Sequence, residues 1–137
     1  MSQNRRLYQL FGMTAQWLGL NNEKRVLAAF TTEAPEWIRK IPWICGARHA
    51  SEMEDNAGID IVFSTDVGEI KLQVKSSENA RAEFVRRQMR GEVGADIITV
   101  SVSPSHDATA LCHIILPLLS AERKKRIGAQ PKNLFRS

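Results

Sequence analysis

An acid, an amide and an ammonium group occupy positions in the sequence from which a β-hairpin would bring them together. Asp60 stands near the start of a β-rich segment, and Gln73 and Lys75 alternate with apolar residues in the segment 70–75. Successive side chains of a strand point to opposite faces, so Gln73 and Lys75 share one face. The hydrophobic pattern allows a register that pairs Asp60 with Gln73 or one that pairs it with Lys75. Either register predicts that the three polar side chains converge on one face of a sheet.

Glu23 is a fourth candidate for chemistry, on a helix upstream of the hairpin. It lies three, four and seven residues before the apolar residues Val26, Leu27 and Phe30, so it shares their helix face. An acid in the first turn of a helix also interacts favourably with the helix dipole, and spacing alone favours this ordinary role. The acid and the lysine of the hairpin have an ordinary alternative too, a cross-strand ion pair worth about 0.2–1 kcal/mol.

The hairpin groups suit the hydrolysis of a phosphodiester. That reaction needs a nucleophilic water and the neutralisation of a negatively charged transition state, and oxygen ligands around Mg²⁺ provide for both. Asp60, the side-chain oxygen of Gln73 and the backbone carbonyl of Val74 are oxygen donors in suitable positions. Lys75 beside such a metal ion would orient or deprotonate the water.

These residues belong to a chain whose pattern predicts one mixed α/β (α+β) domain with a single mixed β-sheet flanked by helices. The predicted elements, in order, are a helical segment with a fresh start at Asn21 or Asn22, a short helical turn at 36–39, a strand at 43–47, a hairpin of strands 59–64 and 70–75, a helix at 78–90, strands at 97–102 and 111–116, and a basic helix at 120–128. The segment 111–116 is apolar almost throughout, as is typical of a central strand. Its 137 residues suffice for one domain, with a core at about 19–117.

The segments Gly58-Ile59-Asp60-Ile61-Val62-Phe63 and Gln73-Val74-Lys75-Ser76-Ser77 resemble the signature of the PD-(D/E)xK nuclease superfamily, whose fold is restriction-endonuclease-like. That family pairs an Asp at the start of one strand with an acidic-x-Lys on the next strand, and usually adds a Glu from an upstream helix. Its αβββαβ core matches the order predicted from Asn22 to Val102. The Gly-Leu-Asn-Asn-Glu helix start at Gly19 looks most like archaeal-type Holliday junction resolvases, and a Gln-x-Lys is found in the endonuclease subunit of heteromeric transposases.

The resemblance implies that Glu23 and Asp60 ligate Mg²⁺, or Mn²⁺ as its substitute, that Gln73 takes the second acidic position and that Lys75 is the catalytic lysine. It implies a metal-dependent DNA endonuclease of recombination or repair, with branched or junction DNA among the expected substrates. A homodimer would suit the cleavage of two strands. Gln73 departs from the family because an amide ligates Mg²⁺ without adding charge. Two alternatives stay open: a catalytically silent DNA-binding or assembly module on the same fold, and a nuclease directed at RNA.

Basic residues supply candidate contacts to the phosphate backbone of DNA. The formal net charge is +4 and the sequence pI is about 9.4, which is compatible with a nucleic-acid partner without requiring one. The candidates form two groups, Arg86, Arg87 and Arg90 in one predicted helix and Arg123, Lys124, Lys125 and Arg126 in the last. A solvated helix face explains the first group equally well, and the second also suits the dipole at a helix C-terminus.

Other function classes lack their signatures. No apolar run approaches the roughly 20 residues of a membrane helix, and no apolar segment of a signal peptide follows Arg5 and Arg6, so we expect a cytoplasmic protein without a membrane partner. Cys45 and Cys112 lack the spacing of a structural zinc site and are expected to be buried free thiols. Because neither a P-loop nor a dinucleotide fingerprint is present, no organic cofactor is expected.

Overall fold

The alternating apolar segments of the sequence form a four-stranded sheet in the computed structural model, which describes residues 15–130. Its strands are β1 (Ile44–His49), β2 (Ile61–Thr65), β3 (Gly68–Lys75) and β4 (Ile98–Ser101). They lie in the order β1-β2-β3-β4. Strand β2 is antiparallel to both β1 and β3, and β4 is parallel to β3. The predicted class, a mixed α/β domain with one mixed sheet and flanking helices, is confirmed.

Five helices accompany the sheet in the described part of the chain: α1 (Ala15–Phe30), α2 (Glu36–Arg39), α3 (Glu52–Asn56), α4 (Glu78–Met89) and α5 (Ala108–Ala129). Helices α1 and α5 contribute to the larger apolar core on one face of the sheet, where they meet alternate residues of β2 and β3 such as Phe63 and Leu72. Helix α4 covers the opposite face through Phe84, which packs with Val62. None of the five has an apolar stretch long enough to cross a membrane.

The hairpin of β2 and β3 adopts one of the two predicted registers. Thr65 pairs with Gly68, so Asp66 and Val67 form the turn, and Gly68 takes a φ of 99° that favours glycine. The pairing of Ile61 with Leu72 sets Asp60 opposite Gln73, and the Asp60 amide donates to the Leu72 carbonyl at 2.9 Å. Strand alternation predicts that Ile59 lies on the same face as Ile61 and Phe63. Ile59 instead packs with Val62 and Phe84 on the other face, because it precedes β2 and does not follow the alternation of the strand.

Helix α1 runs without interruption from Ala15, so the predicted fresh start at Asn21 or Asn22 is wrong. Asn22 does not cap the helix. Its side chain is fully buried and donates to the Ser76 hydroxyl at 3.2 Å. Glu23 therefore lies well inside the helix, where the favourable first-turn interaction with the dipole no longer explains it. The part of the first helical segment that was predicted before Ala15 lies outside the described residues.

The predicted strand at 111–116 and the separate helix from Ser120 are also wrong, because one helix, α5, covers both. Asp107 caps it by accepting from the Ala110 amide at 2.8 Å. The buried residues Leu111, Ile115 and Leu119 recur every four residues, which is the spacing of one helix face. A short apolar run does not by itself distinguish a buried strand from a buried helix. The buried Leu119 of α5 lies past residue 117, so the apolar core continues beyond the predicted limit. Cys112 in the same helix is buried as predicted, whereas Cys45 is exposed because it lies on the edge strand β1.

Candidate metal centre

A cavity of about 750 Å³ opens where the start of β2, the end of β3 and the middle of α1 meet the short helix α3. Four acids line it, Glu23, Glu52, Asp55 and Asp60, together with Gln73 and Val74, which could offer a side-chain and a backbone oxygen. Glu52 lies outside the group of acids that come close together. Carboxylate oxygens of the other three acids lie within 4.8 Å of one another. The structure thus brings together four residues that the sequence singled out, and adds to the close group an acid, Asp55, that it did not.

Asp60 is held rigidly just before the start of β2. Its amide donates to Leu72, its carbonyl accepts from the Ala50 amide at 2.9 Å, and its carboxylate oxygen Oδ2 accepts from the Val74 amide at 2.7 Å. The side chain is 8% exposed. These bonds place the carboxylate directly beside the last residues of β3. Burial raises the Asp60 pKa, while the interactions with Glu23, Val74 and Lys75 act in the opposite direction.

Glu23 faces Asp60 from α1, with carboxylate oxygens of the two residues within 4.8 Å of each other. Burial is the largest cause that raises the Glu23 pKa, followed by its hydrogen bond and charge interaction with Asp60, and the resulting pKa is about 8. The Asp55 charge raises it further, whereas the Lys75 charge lowers it. Two neighbouring carboxyls titrate as a pair, in which one group keeps its proton into the neutral range. A divalent cation that binds both groups would have to displace that proton.

Gln73 and Val74 also line the cavity. Gln73 is 8% exposed, and its Oε1 is buried without a hydrogen-bond partner. The same is true of the Thr99 hydroxyl, which lies opposite Gln73 in β4. An unpaired buried acceptor costs about 1–3 kcal/mol, so a cation at this point would remove the deficit. The Val74 carbonyl faces the same strand edge as its amide, the edge occupied by Asp60.

Lys75 completes the predicted set as a half-buried ammonium. Its Nζ lies 5.4 Å from the centroid of the Phe84 ring, which is within the range of a cation–π interaction. Its charge lowers the pKa of both Glu23 and Asp60, although Lys75 is not one of the residues that line the cavity. Of the two serines that follow it, Ser77 caps α4 by accepting from the Ala80 amide at 3.1 Å.

The arginines of α4 are paired with acids rather than free to meet a phosphate. Arg86 lies 2.9 Å from Glu83, and Arg87 lies 3.6 Å from Glu92. Arg90 contacts both of these acids. Three positive charges therefore meet two negative charges on this face, which leaves a net charge of one. A solvated, salt-bridged helix face accounts for these contacts.

The basic run of α5 lies at the far end of the hairpin from the acids. Arg123 pairs with Asp66 at 2.8 Å in the turn, and Arg126 donates to the Glu69 carbonyl at 2.7 Å. The turn is five residues along β2 from Asp60, a distance of about 17 Å at the rise of a strand. Arg123 also lies over the Trp43 ring. Arg123 and Arg126 therefore anchor the hairpin turn, and Lys124 and Lys125 between them are exposed.

Six residues at the cavity were not predicted as site residues from the sequence: Asp55, Lys24, His49, Ala50, Ser51 and Glu52. A local signal for the first existed. Ser51 and Glu54 have the Ser-x-x-Glu spacing of a capping box, which predicts a helix start in front of Asp55. Lys24 and His49 are exposed and carry no such signal, because their approach to the cavity depends on how α1 and β1 pack.

Comparisons of this chain with models of protein families, with curated proteins and with solved structures found no match. These comparisons therefore assign no chemistry to the cavity. Its own lining provides a set of hard oxygen donors, and the Lys24 ammonium group lies beside them.

Proposed function

We propose that this protein is a Mg²⁺-dependent endonuclease that hydrolyses phosphodiester bonds in DNA. The observation that carries the proposal is the convergence of Glu23, Asp60 and Gln73 on an open cavity, with the charge of Lys75 close enough to lower the pKa of both acids. The helix, three strands, helix and strand that carry these residues follow the order of the nuclease superfamily that the sequence resembles.

The residues present fit a hard divalent cation. Mg²⁺ prefers oxygen ligands, and Glu23, Asp60, the Gln73 side chain and the Val74 carbonyl would hold it. Once bound, Mg²⁺ would make a water more acidic and neutralise negative charge on the phosphate. Because the pKa of both Glu23 and Asp60 is raised in the metal-free protein, they would bind the cation most tightly when both are ionised.

The chain's own residues orient the reacting groups. The Val74 amide fixes the Asp60 carboxylate, and the bond from Asn22 to Ser76 holds α1, and hence Glu23, against the end of β3. The Lys75 ammonium would orient the attacking water and the phosphate by donating hydrogen bonds to them.

Lys24 and His49 stand at the cavity and are the nearest basic side chains for the phosphates beside the scissile bond. Contacts of DNA with Arg86, Arg87 and Arg90 or with the run at 123–126 stay predictions. A duplex that reached the run at 123–126 would extend about five base pairs from the cut, given about 17 Å along β2 and 3.4 Å per base pair.

A catalytically silent DNA-binding or assembly module is the second candidate, and Gln73 favours it because a neutral amide weakens a Mg²⁺ site. The two functions differ in what Lys75 does. An active enzyme needs the Lys75 ammonium for cleavage, whereas a silent module needs it for packing on Phe84 alone.

The test uses a labelled four-way junction, a plain duplex, a single strand and an RNA duplex, each with Mg²⁺, Mn²⁺ or EDTA. Lys75→Ala is compared with Lys71→Ala, a matched control on the same strand that pairs with Asp96 at 3.5 Å. Metal-dependent cleavage that is lost only in Lys75→Ala supports the endonuclease, and the preferred substrate decides between DNA and RNA. Binding without cleavage supports the silent module. The absence of both binding and cleavage refutes the proposal.

A further inference from the structure

Helix α3 presents Asp55 to the cavity in a fixed orientation. A capping box holds its start: the Glu54 amide donates to the Ser51 hydroxyl at 3.2 Å, and the Ser51 amide donates to the Glu54 carboxylate at 2.8 Å. The Arg48 guanidinium on β1 donates two hydrogen bonds to the same Glu54 carboxylate, the shorter of which is 2.6 Å. Asp55 directly follows Glu54, so the interactions that fix the helix also fix the direction from which Asp55 approaches.

The segment from Ala50 to Asp60 closes on itself and so brings Asp55 beside Asp60. The Ala50 amide donates to the Asp60 carbonyl, and the Gly58 amide donates to the Asp55 carbonyl at 3.0 Å. Gly58 has a φ of 91°, and a Cβ at this position would lie 3.2 Å from the Phe84 ring. Glycine therefore allows both the reversal after α3 and the close contact beneath it.

The charge at the cavity explains why a third acid is useful there. Glu23 and Asp60 bring two negative charges when both are ionised, and Lys75 opposes them with one positive charge. Gln73 supplies an oxygen without charge, and that oxygen is buried and unpaired. The affinity of an oxygen site for a divalent cation depends on the number of charged ligands.

We propose that Asp55 is a further ligand of the metal ion and supplies the negative charge that Gln73 does not. Its carboxylate lies within 4.8 Å of those of Glu23 and Asp60, in the cavity that Gln73 also lines. Because Asp55 is exposed, it brings its charge from the solvent side and completes a ligand set that the buried residues begin. The inference rests on the metal centre of the proposed function.

The test measures Mn²⁺ binding to the full chain at pH 8 by electron paramagnetic resonance, without DNA. Asp55→Asn is compared with Glu52→Gln, a matched control on the same short helix that lines the cavity but lies outside the group of three carboxylates. Asp55→Asn should weaken binding roughly 10–100-fold, the loss that even an outer-sphere substitution produces at many metal sites. Glu52→Gln should change it less than about threefold, as expected for long-range charge alone.

A second variant restores the lost negative charge at a different residue of the cavity. Adding Gln73→Glu to Asp55→Asn should recover at least about tenfold of the lost Mn²⁺ affinity, because three acids again surround the ion. Circular dichroism confirms that each variant is folded.

Equal affinities of Asp55→Asn and Glu52→Gln overturn the inference, whether or not the protein cuts DNA, and so does a wild-type protein that binds no Mn²⁺. Asp55-dependent binding in a protein that cleaves no nucleic acid upholds the inference and refutes the nuclease.

Discussion

Replacing Glu23 by Gln should stabilise the metal-free protein at pH 8. The Glu23 pKa is about 8 in the fold, against 4.5 for an ordinary glutamate, so the folded chain holds a proton that the unfolded chain releases. A carboxyl whose pKa is raised by folding contributes its stability below pH 4.5 and loses it as the pH rises to about 8. A glutamine never ionises, so Glu23→Gln removes this loss.

The size of the effect follows from the distance between the two acids. Two charges 4.8 Å apart repel by about 3 kcal/mol at an effective dielectric constant of 20. Lys75 offsets part of this repulsion, and solvent screens a partly exposed Glu23, so we expect a gain of roughly 1–2 kcal/mol. For a chain of this size that gain corresponds to a rise in Tm of roughly 3–8 °C.

The assay is thermal unfolding in EDTA, followed by circular dichroism between pH 4 and pH 9. The control is Glu33→Gln, an exposed acid in the turn after α1. The difference in Tm between Glu23→Gln and the wild type should be near zero at pH 4 and grow up to pH 8, with no such trend in the control. A variant that is less stable than the wild type at pH 8, or a difference that does not depend on pH, would show that folding does not raise the Glu23 pKa.

Three further results are expected. A saturating concentration of Mn²⁺ should raise the Tm of the wild type more at pH 8 than at pH 6, because Glu23 must lose its proton to bind the ion. The measurement is a fluorescence-based thermal shift, and a rise in Tm that is equal at the two pH values would count against the metal site. Arg123→Ala should lower the unfolding free energy by about 1 kcal/mol in urea, whereas Lys124→Ala should not, since only the former contacts the hairpin turn. Asn22→Ala should cost about 1–3 kcal/mol in the same titration, through the lost bond to Ser76.

The hairpin could be predicted from the sequence because its constraints are local. Strict alternation from Ile70 to Lys75 fixes which side chains share a face, and a slip by one residue would expose the whole apolar set. Asp60, Gln73 and Lys75 were therefore identified together, and the register that pairs Asp60 with Gln73 is the one observed.

Other features depend on packing that no local pattern encodes. The apolar segment at 111–116 was read as a strand, and the Asp107 cap that starts a helix just before it was overlooked. Asp55 was missed for a different reason, since an exposed acid on a five-residue helix has no apolar periodicity to mark its direction. Its position is set by Arg48, which reaches it through Glu54 from a neighbouring strand.

The energetic cost of the acidic group is itself an argument that the cavity has a function. Burial and the nearby Asp60 raise the pKa of Glu23, and the hydrogen bonds of Asn22 and Val74 hold the two acids in this arrangement. An apolar or amide residue at position 23 would pack on the same helix face without that repulsion. Natural proteins keep destabilising arrangements mainly where activity requires them. A purely structural ion pair of Asp60 with Lys75 would need only one acid, so the second acid, Glu23, is better explained by a cation that both carboxylates bind.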